Sequence, residues 1–229
     1  MTAVLQNYIG GASRAGRADR LIADINPSDS DDIVAQVPAG DASDVAAAVS
    51  AAADAYPSWR RLPGPARSEH LYKWAGVIDG RREELAQALA REVGKPIGEA
   101  RGEIGRCVVI LRYYAGEAVR AIGEVVPAQA AGALQFTLRD PLGVVGLITP
   151  WNFPAAIPLW KAAPALAFGN TVVLKAAEQA SHVAVLLAET AQAADLPAGV
   201  FNVVLGDGAV VGDALIRSDA VRAVSFTGS

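Results

Sequence analysis

The sequence predicts an α/β fold in which helices cover both faces of a parallel sheet. Short apolar runs, typical of buried strands, alternate with helix-like stretches, and turn residues separate the two. The apolar runs are Val144 to Ile148, Thr171 to Leu174, Val200 to Leu205 and Ala223 to Phe226. The helix-like stretches are Ile157 to Phe168, Ser181 to Asp195 and Val210 to Arg217. Because ligands bind such sheets at the carboxyl ends of the strands, we expect the functional residues there.

The first 122 residues are predicted to form short strands followed by helices. Turn residues punctuate a strand-like segment from Asn7 to Pro38. Asp41 is a suitable N-cap for the first helix, with Asp44 in its first turn, and Pro57 is expected to end it. The helices are predicted over Asp41 to Tyr56, Arg67 to Asp79, Arg81 to Val93 and Ile97 to Ile122.

The segment Gly123 to Pro141 has the residue alternation of a β-hairpin. Leu134, Phe136 and Leu138 alternate with polar residues after a Gly/Ala turn, which gives one apolar face and one polar face. Two strands alone are marginally stable, so this protruding hairpin is expected to need a partner surface. It separates residues 1–122 from residues 142–229.

Composition argues against several kinds of partner. The chain has 229 residues, 52% of them hydrophobic, which is enough to bury a sizeable core. The formal net charge is −4 and no basic cluster stands out, so nucleic acid and anionic membranes are not expected as partners. The apolar stretches are broken well short of a membrane span, and the beginning MTAVLQNYIGG lacks a secretory signal pattern. We therefore expect a soluble, cytoplasmic protein.

Cysteine, histidine and tryptophan residues are predicted to have structural roles. Cys107 lies in a helix-like apolar stretch with no adjacent histidine, so a buried, unreactive thiol is expected. His70 and His182 are isolated from other ligand-type residues, and no metal site is expected. The tryptophans expected to pack rather than to form a site are Trp59, Trp74 and Trp160.

Asn152 follows the first apolar strand in the run Thr149 to Pro154, between two prolines. The prolines stiffen the loop, so the Asn152 amide would be presented from a fixed place at the ligand edge of the sheet. A fixed amide donor is what an oxyanion hole requires. The alternative is an asparagine that merely closes a turn, since asparagine is common in turns.

Lys175 and Glu178 follow the second apolar strand, three residues apart. They could be a solvated ion pair, which would contribute little. In a dinucleotide-binding fold, however, an acidic group at a strand end accepts hydrogen bonds from a ribose.

A third motif, Leu205 to Gly212, places glycines between a strand and a helix. Glycines there allow the backbone to approach a ligand closely, or they simply form a tight turn.

Taken together, these motifs resemble the N-terminal, cofactor-binding half of the aldehyde dehydrogenase superfamily. The similarity covers nearly the whole chain and is looser before Pro141. The segments that carry it are Ile148 to Pro154, Lys161 to Ala167, Gly169 to Lys175, Leu196 to Val203 and Ser225 to Ser229.

The resemblance implies a Rossmann-like cofactor-binding domain, with the 123–141 hairpin as an oligomerisation segment and the chain truncated before the catalytic domain. It implies that Asn152 stabilises the oxyanion formed when a cysteine thiolate attacks an aldehyde, before hydride transfer and hydrolysis to a carboxylic acid. That cysteine and the general-base glutamate have no matching positions here. The implied cofactor-binding residues are Ile148, Thr149, Pro150, Trp151, Lys175, Glu178, Gly208, Gly212, Gly228 and Ser229.

The resemblance also implies NAD as the cofactor, a small aldehyde as the substrate and a homo-oligomer for the complete protein. The free carboxylate of Glu178 would repel the 2′-phosphate of NADP, although NADP remains possible. The family usually has proline after the matching lysine, whereas Ala176 stands here, so the loop is less stiff. The run Ala155 to Lys161 is similar to bacterial members that act on semialdehydes such as α-ketoglutaric semialdehyde. The alternative is a catalytically inactive truncated module that binds dinucleotide or pairs with a complete subunit.

Overall fold

The computed structural model describes residues 2–120 and 123–228 and has the predicted α/β architecture. The main sheet has six strands in the order β10-β7-β8-β9-β1-β2. The strands β10, β7, β8 and β9 are mutually parallel, which confirms the predicted parallel sheet. The six strands are Asn7–Ile9 (β1), Ala12–Arg14 (β2), Val144–Ile148 (β7), Thr171–Lys175 (β8), Phe201–Val204 (β9) and Val221–Phe226 (β10).

The N-terminal strands add to this sheet in the opposite direction. Tyr8 of β1 pairs antiparallel with Val203 of β9, and β2 pairs antiparallel with β1 at the edge. The sequence of a three-residue strand does not indicate which distant strand it pairs with, so the pairing of β1 with β9 was not predicted. The remaining strands form two small antiparallel sheets, Leu21–Ile25 (β3) with Ile33–Pro38 (β4) and Val125–Val126 (β5) with Gln135–Phe136 (β6).

Helices cover both faces of the main sheet. Alternate residues of β8 point to opposite sides, so Val172 and Leu174 join one apolar core while Val173 joins the other. The first core contains most of the buried residues, and the second packs beneath α1 and α7. The helices are Ala42–Arg61 (α1), Gly64–Gly80 (α2), Arg82–Val93 (α3), Ile97–Glu117 (α4), Ala156–Ala167 (α5), Ser181–Ala193 (α6) and Asp213–Arg217 (α7).

The first helix begins as predicted but does not end at Pro57. Asp41 accepts hydrogen bonds from the backbone at Ser43 and Asp44, as an N-cap should. Pro57 is exposed and lies inside α1, which continues to Arg61. The last turn is held because the buried Trp59 indole donates a 3.1 Å hydrogen bond to the Leu166 carbonyl. Tertiary packing therefore overrides the proline.

Three further predictions need correction. α4 ends at Glu117, short of the predicted Ile122, which lies outside the described residues. The helix predicted from Val210 begins earlier, as a π-helical turn over Gly208–Gly212 that leads into α7. Trp160 is exposed, unlike the buried Trp59 and Trp74, because it lies on the outer face of α5.

Candidate functional site

A groove opens where β7, β8 and β10 end. The chain winds from β7 through β8 to β9 and then returns to place β10 on the other side of β7. This reversal leaves a crevice at the carboxyl ends, the usual ligand position in such sheets. Ile148 at the end of β7 is aligned with Lys175 on one side and Phe226 on the other. The groove has a volume of about 510 Å³, within the range of small-molecule sites.

Most of the candidate residues meet in this groove. The predicted residues that line it are Ile148, Thr149, Pro150, Trp151, Asn152, Lys175, Glu178 and Gly228. Ser229 lies outside the described residues. Four further residues line the groove and were not predicted as site residues: Ala177, Gln179, Phe226 and Thr227. Phe226 and Thr227 belong to the segment Ser225 to Ser229 that resembles the family, whereas Ala177 and Gln179 carry no sequence signal beyond their position beside Glu178.

The Asn152 loop is fixed to the sheet by its backbone. The Thr149 amide donates a 3.2 Å hydrogen bond to the Lys175 carbonyl, and the Asn152 carbonyl accepts a 2.8 Å bond from the Lys95 ammonium. The Asn152 side chain is exposed and lines the groove. This placement agrees better with a donor directed at a ligand than with an asparagine that only closes a turn.

Lys175 and Glu178 form a largely buried pair rather than a solvated one. The Lys175 ammonium lies 3.1 Å from Glu178 Oε1, and its side chain is only 4% exposed. The same Oε1 atom accepts a hydrogen bond from the Gly208 amide. With Oε1 bonded twice, Oε2 is the atom available to a ligand. The pair therefore fixes the orientation of a carboxylate at the groove.

The two glycines of the third motif lie behind the groove rather than in its lining. A Cβ atom added at Gly208 would lie 3.4 Å from both Glu178 Oε1 and the Lys175 ammonium, so a side chain there would crowd the pair. Gly212 is buried, and a Cβ added there would contact Ile148 at 3.9 Å. The π-helical turn thus lies against the strand ends, with Gly208 next to the Lys175–Glu178 pair and Gly212 next to Ile148.

Thr149 supplies an unused polar group. Its hydroxyl is buried at the groove and makes no hydrogen bond to the residues that the structure describes. Buried hydroxyl groups are nearly always paired, so a ligand or water is expected to complete this one. The chemistry of the groove is thus an amide, a hydroxyl, an ammonium and an oriented carboxylate.

Cys107 lies away from this groove, in the core. Its side chain is fully buried in α4, and burial raises the pKa of the thiol far above its usual range, with the Glu103 carboxylate adding to the shift. A thiol that does not ionise is a poor nucleophile. The predicted burial of Cys107 is therefore confirmed.

Within residues 2–120 and 123–228, no helix combines the length and the apolar character needed to cross a membrane.

Comparison with known proteins gives matches along nearly the whole chain. A family model described as the aldehyde dehydrogenase family matches residues 14–229. An α-ketoglutaric semialdehyde dehydrogenase of Bacillus subtilis strain 168 is 48% identical over 223 residues, which are 97% of this chain and 46% of that protein. The chain therefore spans about half the length of this curated relative.

Solved structures agree with the sequence matches. An NAD-dependent aldehyde dehydrogenase from Sinorhizobium meliloti has a TM-score of 0.96 at 40% identity, covering all of this chain and 46% of that one. An E. coli enzyme described as NADP dependent has a TM-score of 0.94 at 38% identity, covering 98% of this chain and 46% of that one. Because an NAD-dependent and an NADP-dependent protein match this chain almost equally well, overall structural similarity does not distinguish between the two cofactors.

Proposed function

Because this chain belongs to the aldehyde dehydrogenase family, we propose that it binds a nicotinamide dinucleotide and supplies the oxyanion-stabilising amide of an enzyme that oxidises an aldehyde to a carboxylic acid. The observation that carries the proposal is the groove itself. Asn152 and Thr149 follow β7, the Lys175–Glu178 pair lies at the end of β8, and all of these residues line one crevice. The name of the Bacillus subtilis relative favours a semialdehyde as the substrate.

The groove has the donor set that a dinucleotide needs. Glu178 Oε2 and the Lys175 ammonium can bond ribose hydroxyls, and the orphaned Thr149 hydroxyl can bond a further polar group. Trp151 and Ile148 offer apolar surface beside them, while Gly228 lets the backbone approach closely. Gly208 and Gly212 act from behind by holding Glu178 and the end of β7. Ser229 is proposed to extend the same site.

Glu178 favours NAD over NADP in this proposal. Its carboxylate is held at the groove by Lys175 and the Gly208 amide, so it cannot easily swing away from a bound ribose. A 2′-phosphate placed there would meet a like charge, which is costly in a partly buried site.

Asn152 is proposed to act on the reacting aldehyde. Its side-chain amide donates to the oxygen on which negative charge develops when the carbonyl carbon is attacked. The bound dinucleotide supplies the hydride acceptor. Since this chain spans about half of its relatives' length, the attacking cysteine and the water-activating base are assigned to the other half of the complete enzyme. The Lys175–Glu178 pair binds and orients, and carries no chemical step.

The hairpin β5–β6 is proposed to join subunits of the complete protein. Its apolar residues face solvent, including Val125, Leu134 and Leu138, each more than two-thirds exposed. Exposed apolar surface of this kind is typical of an interaction site. A homo-oligomer would cover this surface and supply the partner that a two-stranded sheet lacks.

Two experiments test the function in separate steps. The chain is titrated with NAD and with NADP by calorimetry, and saturable binding that is tighter for NAD is expected. The chain is then joined at Ser229 to the remaining half of the Bacillus subtilis relative, and aldehyde-dependent NADH formation is expected. A joined protein that folds and binds NAD but forms no NADH with any aldehyde would contradict the catalytic proposal while leaving the binding proposal intact.

A further inference from the structure

Lys95 and Glu103 form a second buried ion pair beside the Asn152 loop. Lys95 lies in the short connection before α4, and Glu103 lies two turns into that helix. The Lys95 ammonium is 2.5 Å from Glu103 Oε2, and the two side chains are 11% and 1% exposed. Each member of the pair also contacts the loop, from a part of the chain that contributes nothing to the lining of the groove.

Lys95 contacts the loop at its tip. The ammonium donates a 2.8 Å hydrogen bond to the Asn152 carbonyl and lies 4.0 Å from the centre of the Phe153 ring. A cation at this distance from an aromatic face is attracted to it. Lys95 therefore fixes the backbone of the residue whose side chain enters the groove.

Glu103 contacts the loop where it becomes helix α5. Its Oε1 atom accepts hydrogen bonds from the amides of Ala155 and Ala156, both at 3.0 Å. Helix α5 has no side-chain cap of its own, so the Glu103 carboxylate provides the capping acceptor at its positive end. One ion pair thus holds both ends of the segment 152–156.

Packing alone does not hold the exposed part of the loop. Trp151 and Phe153, the two large side chains that flank Asn152, are both about half exposed. The prolines restrict the local backbone angles, but they do not fix the position of the loop relative to the ends of the strands. At the tip of the loop and at the start of α5, polar contacts from Lys95 and Glu103 add to the backbone bond that Thr149 makes to Lys175.

We propose that the Lys95–Glu103 pair is a positioning device for the Asn152 amide. The proposal rests on the oxyanion role proposed for Asn152. It assigns the two residues no contact with substrate or cofactor: they act through the backbone of the loop. Loss of the Lys95 ammonium frees the Asn152 carbonyl, and the amide then samples positions that are wrong for the reaction.

Hydrogen exchange of the 229-residue chain, measured by mass spectrometry, tests the positioning directly. In Lys95→Met, exchange in peptides covering 150–157 is expected to rise by roughly tenfold, with helix α6 unchanged. Lys95→Arg keeps a donor and is expected to restore most of the protection. Arg101→Met is the matched control, because Arg101 lies on helix α4 with Glu103 but pairs with Glu83 at 2.7 Å on the exposed surface. Unchanged exchange at 150–157 in a folded Lys95→Met chain would overturn the proposal.

Activity gives the second measurement and separates this inference from the proposed function. In the joined protein, Lys95→Met is expected to lower kcat by about 10- to 100-fold, with the KM for NAD changed less than about twofold. An unchanged kcat overturns the positioning role even if the loop becomes more mobile. If the unmutated joined protein binds NAD but is inactive, the catalytic proposal fails, and the exchange experiment still decides whether the pair holds the loop.

Discussion

Two lysine–glutamate pairs flank the Asn152 loop, and they differ in how they serve the site. The Lys175–Glu178 pair lies in the groove, with its carboxylate directed by Lys175 and a backbone amide. The Lys95–Glu103 pair lies behind the loop and holds backbone groups. Both pairs bury a lysine, yet one lines the groove with its own atoms and the other bonds the backbone of a neighbouring segment.

The difference shows that burial of a charge does not reveal its role. A buried pair is costly unless hydrogen bonds satisfy its remaining atoms, and the two pairs differ in how far they meet that condition. Lys175 and Glu178 leave one carboxylate oxygen available, whereas both Glu103 oxygens are already bonded. The available acceptor agrees with the binding role proposed for the first pair, and the fully bonded carboxylate agrees with the positioning role proposed for the second.

The largest effect is expected at Asn152, the residue proposed to stabilise the oxyanion. Asn152→Ala in the joined protein removes the donor to the developing oxyanion, and kcat should fall by about 100- to 1,000-fold. The affinity for NAD, measured by calorimetry, should stay nearly constant because the binding pair is intact. A kcat within about threefold of the unmutated protein would contradict the role given to Asn152.

Making the same lysine-to-methionine substitution in each pair tests whether the two pairs have separate roles. Lys175→Met removes a charged hydrogen-bond donor from the groove, so the Kd for NAD should rise by roughly 10- to 100-fold. Exchange at 150–157 should change little. Lys95→Met should give the reverse pattern, with a mobile loop and an unchanged Kd. If both variants weaken NAD binding equally, the two pairs do not have separate roles.

Glu178→Gln tests the cofactor preference with a smaller expected change. The substitution keeps the size of the side chain and removes its charge, so NADP should gain on NAD by at least about tenfold. The ratio of the two Kd values is the measurement. An unchanged ratio would show that the carboxylate does not discriminate against the 2′-phosphate.

The smallest effect is expected at the exposed pair Glu83–Arg101. The hydrogen-bonded Arg101 guanidinium, with help from Gln87, lowers the pKa of Glu83 from 4.5 to about 2. A lowered folded-state pKa means that the pair stabilises the fold above pH 4.5, and that this contribution is lost as the pH falls toward 2. Urea unfolding of Arg101→Met should therefore differ slightly from the parent at pH 7 and converge with it near pH 2. A difference that is as large at pH 2 as at pH 7 would contradict this account of the pair.

The sequence predicted the parallel sheet and the groove residues because their signals are local. The polar residue of the site follows the apolar strand within a few positions. Asn152 comes four residues after Ile148, and Glu178 comes four residues after Leu174. Parallel strands place all such ends at one edge. The N-cap at Asp41 was also predicted, since the cap and its first turn are adjacent in sequence.

The sequence did not predict features that depend on distant contacts. Lys95 and Glu103 resemble ordinary charges on and near a helix, and their roles come from contacts with residues more than fifty positions away. Helix α1 passes through Pro57 because Trp59 bonds to Leu166, another distant residue. The antiparallel addition of β1 to β9 is of the same kind.

The most direct test is to locate NAD by the exchange protection that it gives to the chain. Saturating NAD is expected to protect peptides covering 148–152, 175–179 and 226–228, which line the groove, and to leave the hairpin at 125–136 unchanged. A second open cleft lies between α1 and α7, lined by Ala42, Val45 and Arg217 among others. Protection confined to that cleft, or no protection at saturating NAD, would contradict the assignment of the groove as the dinucleotide site.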